Sequence, residues 1–298
     1  MDLKKPLSLD GQVDRLISHG MDIRDVDRAK QVLSEINYYR FSGFALQFRD
    51  GQRPDDYVPG TKFEDVHMLH DFDAGLRCML KPCLDIVELF ARSQIAHGFS
   101  LAKCRKPPYE QHYDPANFHN GTVHGSIIVS SLDREKKHCK DATFVTHHDR
   151  KYDGKMPLWV IVELLSFTNM SKLYSAMYFS EQSIIASAMG TSRETLKNHL
   201  HCLANLRNKV AHSGRLYNVT YSPPVMLGRN YLHANPDISA NTLFAYLIVL
   251  LRRLPNDAHK AAFADKVADV FSKRPDCVDL RLLGFPDDYM ARLYREIG

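Results

Sequence analysis

The chain has 298 residues, of which 44% are hydrophobic and 25% are charged. This length and composition indicate a globular protein with a substantial core, in one large domain or two smaller ones. The six cysteines show neither a Cys-x2-Cys pair nor the density of a disulfide framework, which favours a reducing compartment. The net charge of +4 permits a nucleic-acid partner but does not by itself indicate one.

The sequence predicts neither a membrane segment nor a leader. The longest apolar run spans 243–251, far short of the ~18 residues that a membrane helix needs. Lys5 is followed by Pro6 and a polar segment instead of the apolar core of a signal peptide. We therefore expect a soluble, cytoplasmic protein.

The first third of the chain is predicted to be helical on both sides of a loop over 49–61. Helices are expected over 8–19, 25–36, 38–48 and 63–101. Ser8 is a suitable N-cap and Gly20 a suitable end for the first helix. Pro82 lies inside the long helix and should kink it or divide it in two.

The rest of the chain is also predicted to be helical, apart from an irregular stretch over 103–155. Helices are expected over 127–137, 157–165, 171–177, 181–189, 191–213, 239–254 and 257–272. The histidines of the irregular stretch lack the short spacings of a zinc site, so we expect no metal there. Thr191 and Glu194 have the spacing of a capping box, and Gly214 should end that helix. Without any clear alternating strand, the chain is predicted to be all-α.

One helix ends in a motif whose residue types suit RNA chemistry. Arg207 and Asn208 are followed by His212. A guanidinium binds phosphate oxygens in a fixed fork, and an imidazole transfers protons near neutral pH. The same Arg-x4-His spacing recurs at Arg92 and His97, so the spacing alone does not identify a site.

Helical geometry limits how this motif could act. On an ideal helix Arg207 and His212 point about 140° apart. They could meet at one phosphate only if the helix end unwinds or if two copies of the helix face each other. Asn208 lies one turn before His212 and could orient its ring. The alternative is that Arg207 forms a salt bridge and His212 caps the helix, while Arg215 and Asn218 are either loop residues or phosphate ligands.

Short motifs in a shared order extend the pattern along most of the chain. They are Lys5-Pro6, Asn37-Tyr38-Tyr39-Arg40, Phe72-Asp73, Leu76-Arg77, Glu88-x3-Arg92, Trp159, Glu163, Ser166-Phe167, Leu206-Arg207-Asn208, Ala211-His212, Arg215, Asn218 and Gly284-Phe285-Pro286. In these residues the chain resembles the Abi-like proteins of bacterial abortive phage infection (AbiD/AbiF type), which belong to the HEPN superfamily of helical RNA-targeting domains.

The resemblance implies a particular architecture. It places a HEPN-type helical bundle over 61–220, with an irregular insert near 103–155. An N-terminal helical segment over 1–60 and a C-terminal one over 221–298 extend this core.

The resemblance also implies an activity. Arg207, His212 and Asn208 match the active-site motif of metal-independent endoribonucleases that need no cofactor and act as homodimers. Glu88 and Arg92 are the candidates for supporting the cleft. The implied role is antiphage defence by abortive infection, with RNA as target and, for some relatives, a small structured RNA as partner.

The chain departs from the family pattern at several positions, and a second function stays open. Relatives often have a second His where this chain has Ser213, Trp at Tyr217 and Gly at Thr168. His97 stands where relatives commonly have an aromatic residue, so Arg92/His97 is interpreted as a chance motif. The alternative function is a non-catalytic module that binds RNA or a protein partner. Inactivation by tyrosine adenylylation is disfavoured, because the required Tyr position holds Gly214.

Overall fold

A computed structural model describes residues 3, 5–119, 121 and 123–297, and over these residues the fold is all-α, as predicted. The helices are α1 (Leu9–Ser18), α2 (Val26–Ile36), α3 (Tyr38–Phe44), α4 (Phe63–Lys103), α5 (Gly125–His138), α6 (Thr143–Lys151), α7 (Leu158–Ile161), α8 (Phe167–Ala176), α9 (Phe179–Ala188), α10 (Arg193–Ala211), α11 (Arg229–Ala234), α12 (Leu243–Arg253), α13 (Asp257–Ser272) and α14 (Tyr289–Arg295). Short 3-10 turns, including Val162–Leu164, supplement them. No strand occurs in this part of the chain, which has two isolated β-bridges.

Helix α4 is the central element of the fold. Its 41 residues pack against α3, α7, α8, α9, α10, α12 and α13. The prediction that Pro82 might divide it is wrong, since the helix runs through that residue. Proline removes one N–H from the helical ladder. Both Pro82 and Cys78, whose carbonyl loses that partner, are exposed, so water can hydrogen-bond to that carbonyl.

Helix α10 packs antiparallel to α4 and carries the Arg-Asn-x3-His motif at its C-terminal end. It also contacts α8, α9 and α12. The predicted capping box is wrong by one residue, because the N-cap is Ser192, whose Oγ accepts from the Thr195 amide at 3.3 Å. The predicted apolar stripe of Leu196, Leu200, Leu203, Leu206 and Val210 is buried.

Several other helix predictions are confirmed. Ser8 is the N-cap of α1, as predicted, and α2 occupies the predicted stretch, with Asp25 as its N-cap. Helices α5 and α13 occupy the predicted stretches near 127–137 and over 257–272. Helices α6, α11 and α14 were not predicted. In α6 only Val145 is buried, in α14 only Leu293, and in α11 no residue, so none has the periodic apolar face from which a helix is recognised.

The structure also bears on the predictions about membranes and cysteines. Among the described residues, no helix combines the length and the apolar character needed to span a bilayer. All six cysteines are free.

The C-terminal helices α12 and α13 pack on α4, and α12 also packs on α10. The division of the chain at residues 60 and 220 stays a prediction.

A buried histidine connects α10 to the segment before α11. The Nε2–H of His199 donates to the Met226 carbonyl at 2.7 Å, and its Nδ1 is buried with no hydrogen-bond partner in the described residues. Burial, aided by the charges of Arg253 and Arg252 and opposed by the hydrogen bond to Met226, lowers the pKa of His199 from 6.5 to about 4. The neutral imidazole is therefore the form that the fold requires.

We expect the stability that neutral His199 contributes to be complete above about pH 6.5 and to be lost as the pH falls toward 4. At about 1.4 kcal/mol per pH unit, that gap corresponds to roughly 3 kcal/mol. Urea unfolding at several pH values measures it in wild type and in His199→Gln, which keeps an N–H donor but does not titrate. His201→Gln, at an exposed position of the same helix, is the control and should follow wild type. Identical pH dependence in wild type and His199→Gln would contradict the assignment.

Candidate functional site

The candidate site is built around Glu88, a buried carboxylate on α4 that contacts two arginines. Its Oε2 lies 3.1 Å from Nε of Arg207, and its Oε1 lies 2.9 Å from Nη2 of Arg92. The two guanidiniums offset the cost of burying this charge. The sequence motifs that contain these three residues, which are far apart in the chain, therefore meet at one point between α4 and α10.

The two arginines of this cluster differ in how much of each guanidinium is accessible to a ligand. Arg92 is 11% exposed in its side chain and also donates to the Leu165 carbonyl at 2.9 Å, while its Nη1 lies 3.5 Å from Glu163. Arg207 is 33% exposed and contacts Glu88 through Nε, the inner nitrogen. Its two terminal nitrogens are the groups that could bind phosphate oxygens. Arg92 therefore supports the cluster, and Arg207 is its accessible cation.

His212 is exposed and is the C-cap residue of α10. Its amide donates to the Asn208 carbonyl at 2.9 Å, so its backbone closes the last turn while its ring is free to face solvent or a ligand. The side-chain amide of Asn208 donates to Thr168 Oγ1 at 3.0 Å. Within the described residues that side chain makes no hydrogen bond to His212, so the expected orienting role of Asn208 has no geometric support.

The turn after His212 has the hydrogen bonds of a Schellman motif. The Gly214 amide donates to the Lys209 carbonyl at 2.7 Å, and the Ser213 amide donates to the Val210 carbonyl at 3.2 Å. The left-handed residue is Ser213, with φ of 54°, and not Gly214 as the sequence suggested. Gly214 is needed for a different reason, since a Cβ there would lie 2.7 Å from Cγ of Lys209.

Ser213→Gly is expected to stabilise the protein by about 1 kcal/mol, because glycine adopts the left-handed conformation without a steric penalty. Ala211→Gly is the matched control. It lies two residues earlier in helical conformation, where glycine should cost up to about 1 kcal/mol. Thermal or urea unfolding of both variants should give opposite signs. A destabilised Ser213→Gly protein would contradict this interpretation of the turn.

The loop that follows His212 is anchored by side chains from α3 and α4. Asp73 is fully buried on α4, and its Oδ1 accepts from the amides of Leu216 and Tyr217 at 2.7 Å each. Its other oxygen pairs with Arg77. Burial raises the pKa of Asp73, and the hydrogen bonds from these three partners act in the opposite direction. Asp73 therefore fixes where the chain leaves the end of α10.

Two further arginines complete this anchoring. Arg40 Nη2 of α3 donates to the Ser213 carbonyl at 2.7 Å. Arg215 Nη1 donates to the Gly43 carbonyl, and its guanidinium lies 5.9 Å from the centre of the Phe44 ring. Arg215 thus holds the loop against α3. Asn218 lies beyond these contacts, half-buried, with φ of 50°.

Sequence reasoning assigned no role to Asp73, Arg77 or Thr168, although the first two belonged to recognised motifs. The sequence did contain a pattern that could have identified Asp73 and Arg77 as partners. Asp and Arg four residues apart face each other on a helix, and here the Asp stands within an otherwise apolar stripe. The contact between Thr168 and Asn208 had no such signal, because it depends on how α8 packs against α10.

One group of side chains on α4 has ligand types that can hold a metal ion. Ligand atoms of His67, His70 and Asp71 lie within 4.8 Å of one another. The group is partly to fully exposed, and Asp71 is also within ion-pair distance of both histidines. The sequence prediction weighed only the histidines of the irregular stretch and did not consider this group.

The fold and the site together define an all-α protein with an arginine–glutamate cluster beside the histidine-bearing end of one helix. A family model described as Abi-like protein matches residues 31–218, which is more than half of the chain. The chain belongs to this Abi-like family, and membership suggests a role in abortive-infection defence. A search of curated proteins and a search of solved structures each give no significant match.

Proposed function

We propose that this protein is a metal-independent endoribonuclease of the HEPN type that acts in abortive-infection defence. The observation that carries the proposal is the position of Arg207, which is held by the buried Glu88 and lies one and a half turns before the exposed His212. A partly exposed guanidinium and an exposed imidazole at the end of the same helix supply a phosphate ligand and a proton carrier without a metal.

The proposed reaction is attack of a ribose 2′-oxygen on the adjacent phosphorus. The new 2′-O–P bond forms as the 5′-O–P bond breaks; His212 carries one of the two proton transfers, from the 2′-hydroxyl or to the leaving 5′-oxygen, and water carries the other. Arg207 stabilises the charge that develops on the phosphoryl oxygens. One product ends in a 2′,3′-cyclic phosphate or its 3′-phosphate hydrolysis product, and the other begins with a 5′-hydroxyl.

The packing of four helices supports the assignment to the HEPN type. Helices α4, α8, α9 and α10 form one bundle, in which α10 contacts the other three and α4 contacts both α8 and α9. Glu88 and Arg207 meet between α4 and α10, and His212 is the C-cap of α10.

The orientation of the two motif residues supports action as a homodimer. Arg207 turns toward α4, whereas His212 is exposed at the end of α10. Five residues along a helix correspond to about 140° between their directions. We propose that two helix ends face each other, so that one copy supplies the arginine and the other the histidine at a shared phosphate.

The chemical proposal is tested with wild-type protein and single-stranded RNA in excess EDTA. Cleavage should persist, and the upstream products should carry cyclic phosphate or 3′-phosphate ends. A matched RNA with a 2′-deoxy nucleotide at one cleavage position should resist cleavage at that position alone. Equal cleavage of the deoxy position, or complete inhibition by EDTA that added Mg²⁺ reverses, would overturn the mechanism.

Mixing two inactive variants tests the shared site. If Arg207 and His212 act from different copies, then Arg207→Ala and His212→Ala proteins should restore cleavage when they are mixed and allowed to exchange subunits, because the mixed dimer has one intact pair. Each variant alone is the control. No recovery, with mixed dimers verified by differently tagged copies, would show that the pair acts within one chain.

A second candidate function is a non-catalytic RNA-binding module, and one contact favours it. The side-chain amide of Asn208 donates to Thr168 Oγ1, so it does not orient the His212 imidazole for proton transfer. In that case His212→Ala would leave RNA binding intact, Arg207→Ala would weaken it, and no cleaved product would form with wild type.

A further inference from the structure

A groove adjoins the candidate site and is not used by the proposed reaction. It lies between the C-terminal half of α4 and the α7 segment, has a volume of about 470 Å³, and is lined in part by Leu89, Arg92, His97, Ser100 and Trp159. This volume is in the range of sites for small organic groups. Because Arg92 both lines the groove and binds Glu88, one residue links the groove to the cluster that holds Arg207.

The groove combines exposed apolar surface with unsatisfied polar atoms. Leu89 and Trp159 are 56% and 55% exposed, large fractions for residues of this type. Ser100 Oγ and Arg92 Nε are buried and have no hydrogen-bond partner in the described part of the chain. Such atoms are costly unless a ligand or water satisfies them. A flat aromatic ligand with polar atoms on its edge would satisfy both features, and a nucleobase is such a ligand.

A second cavity continues beyond Trp159. Its volume is about 440 Å³, and Trp159 lines both cavities. Two more half-exposed aromatic residues, Tyr109 and Tyr152, line the second cavity beside Lys155. Lys151 Nζ lies 5.3 Å from the centre of the Tyr152 ring. Aromatic side chains placed in series are a usual surface for stacking unpaired nucleic-acid bases.

The charges of the two cavities are consistent with recognition of bases. The acidic residues that line them are each close to a basic partner, Glu163 at 3.5 Å from Arg92 and Glu110 at 2.6 Å from Lys155. The walls therefore present aromatic faces with little net charge. Stacking on a base does not need net charge, whereas binding a bare phosphate does.

We propose that these two cavities form a track for single-stranded RNA that starts at the Arg207 site. One base enters the groove against Trp159, and the following bases stack on Tyr109 and Tyr152. This inference rests on the proposed function for the identity of the ligand as RNA. It adds which surface binds the strand and that the ligand must have unpaired bases.

Trp159 is the only tryptophan of the chain, so its fluorescence reports on the groove directly. The full-length His212→Ala protein, chosen because it should not cleave RNA, is titrated with a 12-nucleotide single-stranded RNA. We expect a saturable decrease in fluorescence. An abasic backbone of the same length should cause little decrease even at concentrations where it binds. RNA that binds, as judged by anisotropy of a labelled strand, without any change in fluorescence would overturn the proposal.

Substitution of Trp159 tests how much base stacking in the groove contributes to RNA affinity. Trp159→Ala should weaken binding of the 12-nucleotide RNA by about 5- to 150-fold, the range for losing one stacked base, and Trp159→Phe should recover most of it. Phe179→Ala is the matched control, because Phe179 is 54% exposed and lies outside both cavities. Equal losses for Trp159→Ala and Phe179→Ala would also overturn the proposal.

The outcomes separate this proposal from the proposed function. Cleavage by wild type with no response from Trp159 would leave the nuclease and remove the track. A fluorescence decrease without cleavage by wild type would leave the track on a binding module. If the Trp159 fluorescence changes with protein concentration and not with added RNA, a second copy of the chain covers the groove. Absence of RNA binding would remove both proposals.

Discussion

His212→Ala is expected to lower the rate of RNA cleavage by about 10²–10⁴-fold, the range for losing a general acid–base group. Its ring is exposed, and the cap of α10 is made by backbone atoms that alanine retains. Arg207→Ala should cost about 10²–10³-fold, because one charge-stabilising group is lost. Single-turnover cleavage of a labelled single-stranded RNA in excess EDTA measures both effects.

His201→Ala is the matched control for the histidine. It changes an exposed histidine on the same helix, three turns before the site, and should cleave RNA at the wild-type rate. For the arginine, Arg207→Lys keeps the charge but loses the planar fork, so its rate should fall between those of wild type and Arg207→Ala. A His212→Ala protein that cleaves within about twofold of wild type would exclude the proposed proton carrier.

Asp73→Ala is expected to lower the free energy of unfolding by about 3–5 kcal/mol, the cost of breaking a buried ion pair by removing one partner. The substitution leaves the amides of Leu216 and Tyr217 without their acceptor and Arg77 without its anion. Urea unfolding at neutral pH measures the loss, with the slope of the transition compared between variants.

Asp71→Ala is the control for Asp73→Ala, since Asp71 lies two residues earlier on α4 with an exposed side chain. It should change stability by less than about 0.5 kcal/mol. Asp73→Asn keeps an oxygen that can accept both amides and should fall between Asp73→Ala and wild type. If Asp73→Ala unfolds at the same urea concentration as Asp71→Ala, the loop after α10 does not depend on this carboxylate.

The elements that could be predicted from sequence are those with an apolar face and a capping residue. Helix α13 and the buried stripe of α10 were recognised because their side chains alone define the buried face. The capping residue of α10 was placed one position early, because both Thr191 and Ser192 are capable N-caps and only the path of the chain selects one. Pro82 was expected to kink α4 or divide it in two; the helix is not divided, because its packing on seven neighbours outweighs one lost hydrogen bond.

The candidate site was predicted in part for a similar reason. Arg207 and His212 were identified by residue type and position, and Glu88 and Arg92 by family resemblance. Which carboxylate oxygen meets which arginine follows from the contact between α4 and α10 and could not be read from spacing. The partner of Asn208 is likewise set by α8. Local patterns thus identified the groups, and tertiary packing determined their partners.

Both carboxylates that organise the site belong to the same uninterrupted helix, Asp73 holding the loop and Glu88 holding Arg207. Fifteen residues separate them, a length of about 22 Å along the axis at 1.5 Å per residue. Adding or removing one residue between them would rotate one carboxylate by about 100° relative to the other, so both could no longer face α10. This stretch of α4 should therefore tolerate changes of side chain on its exposed face but not changes of length.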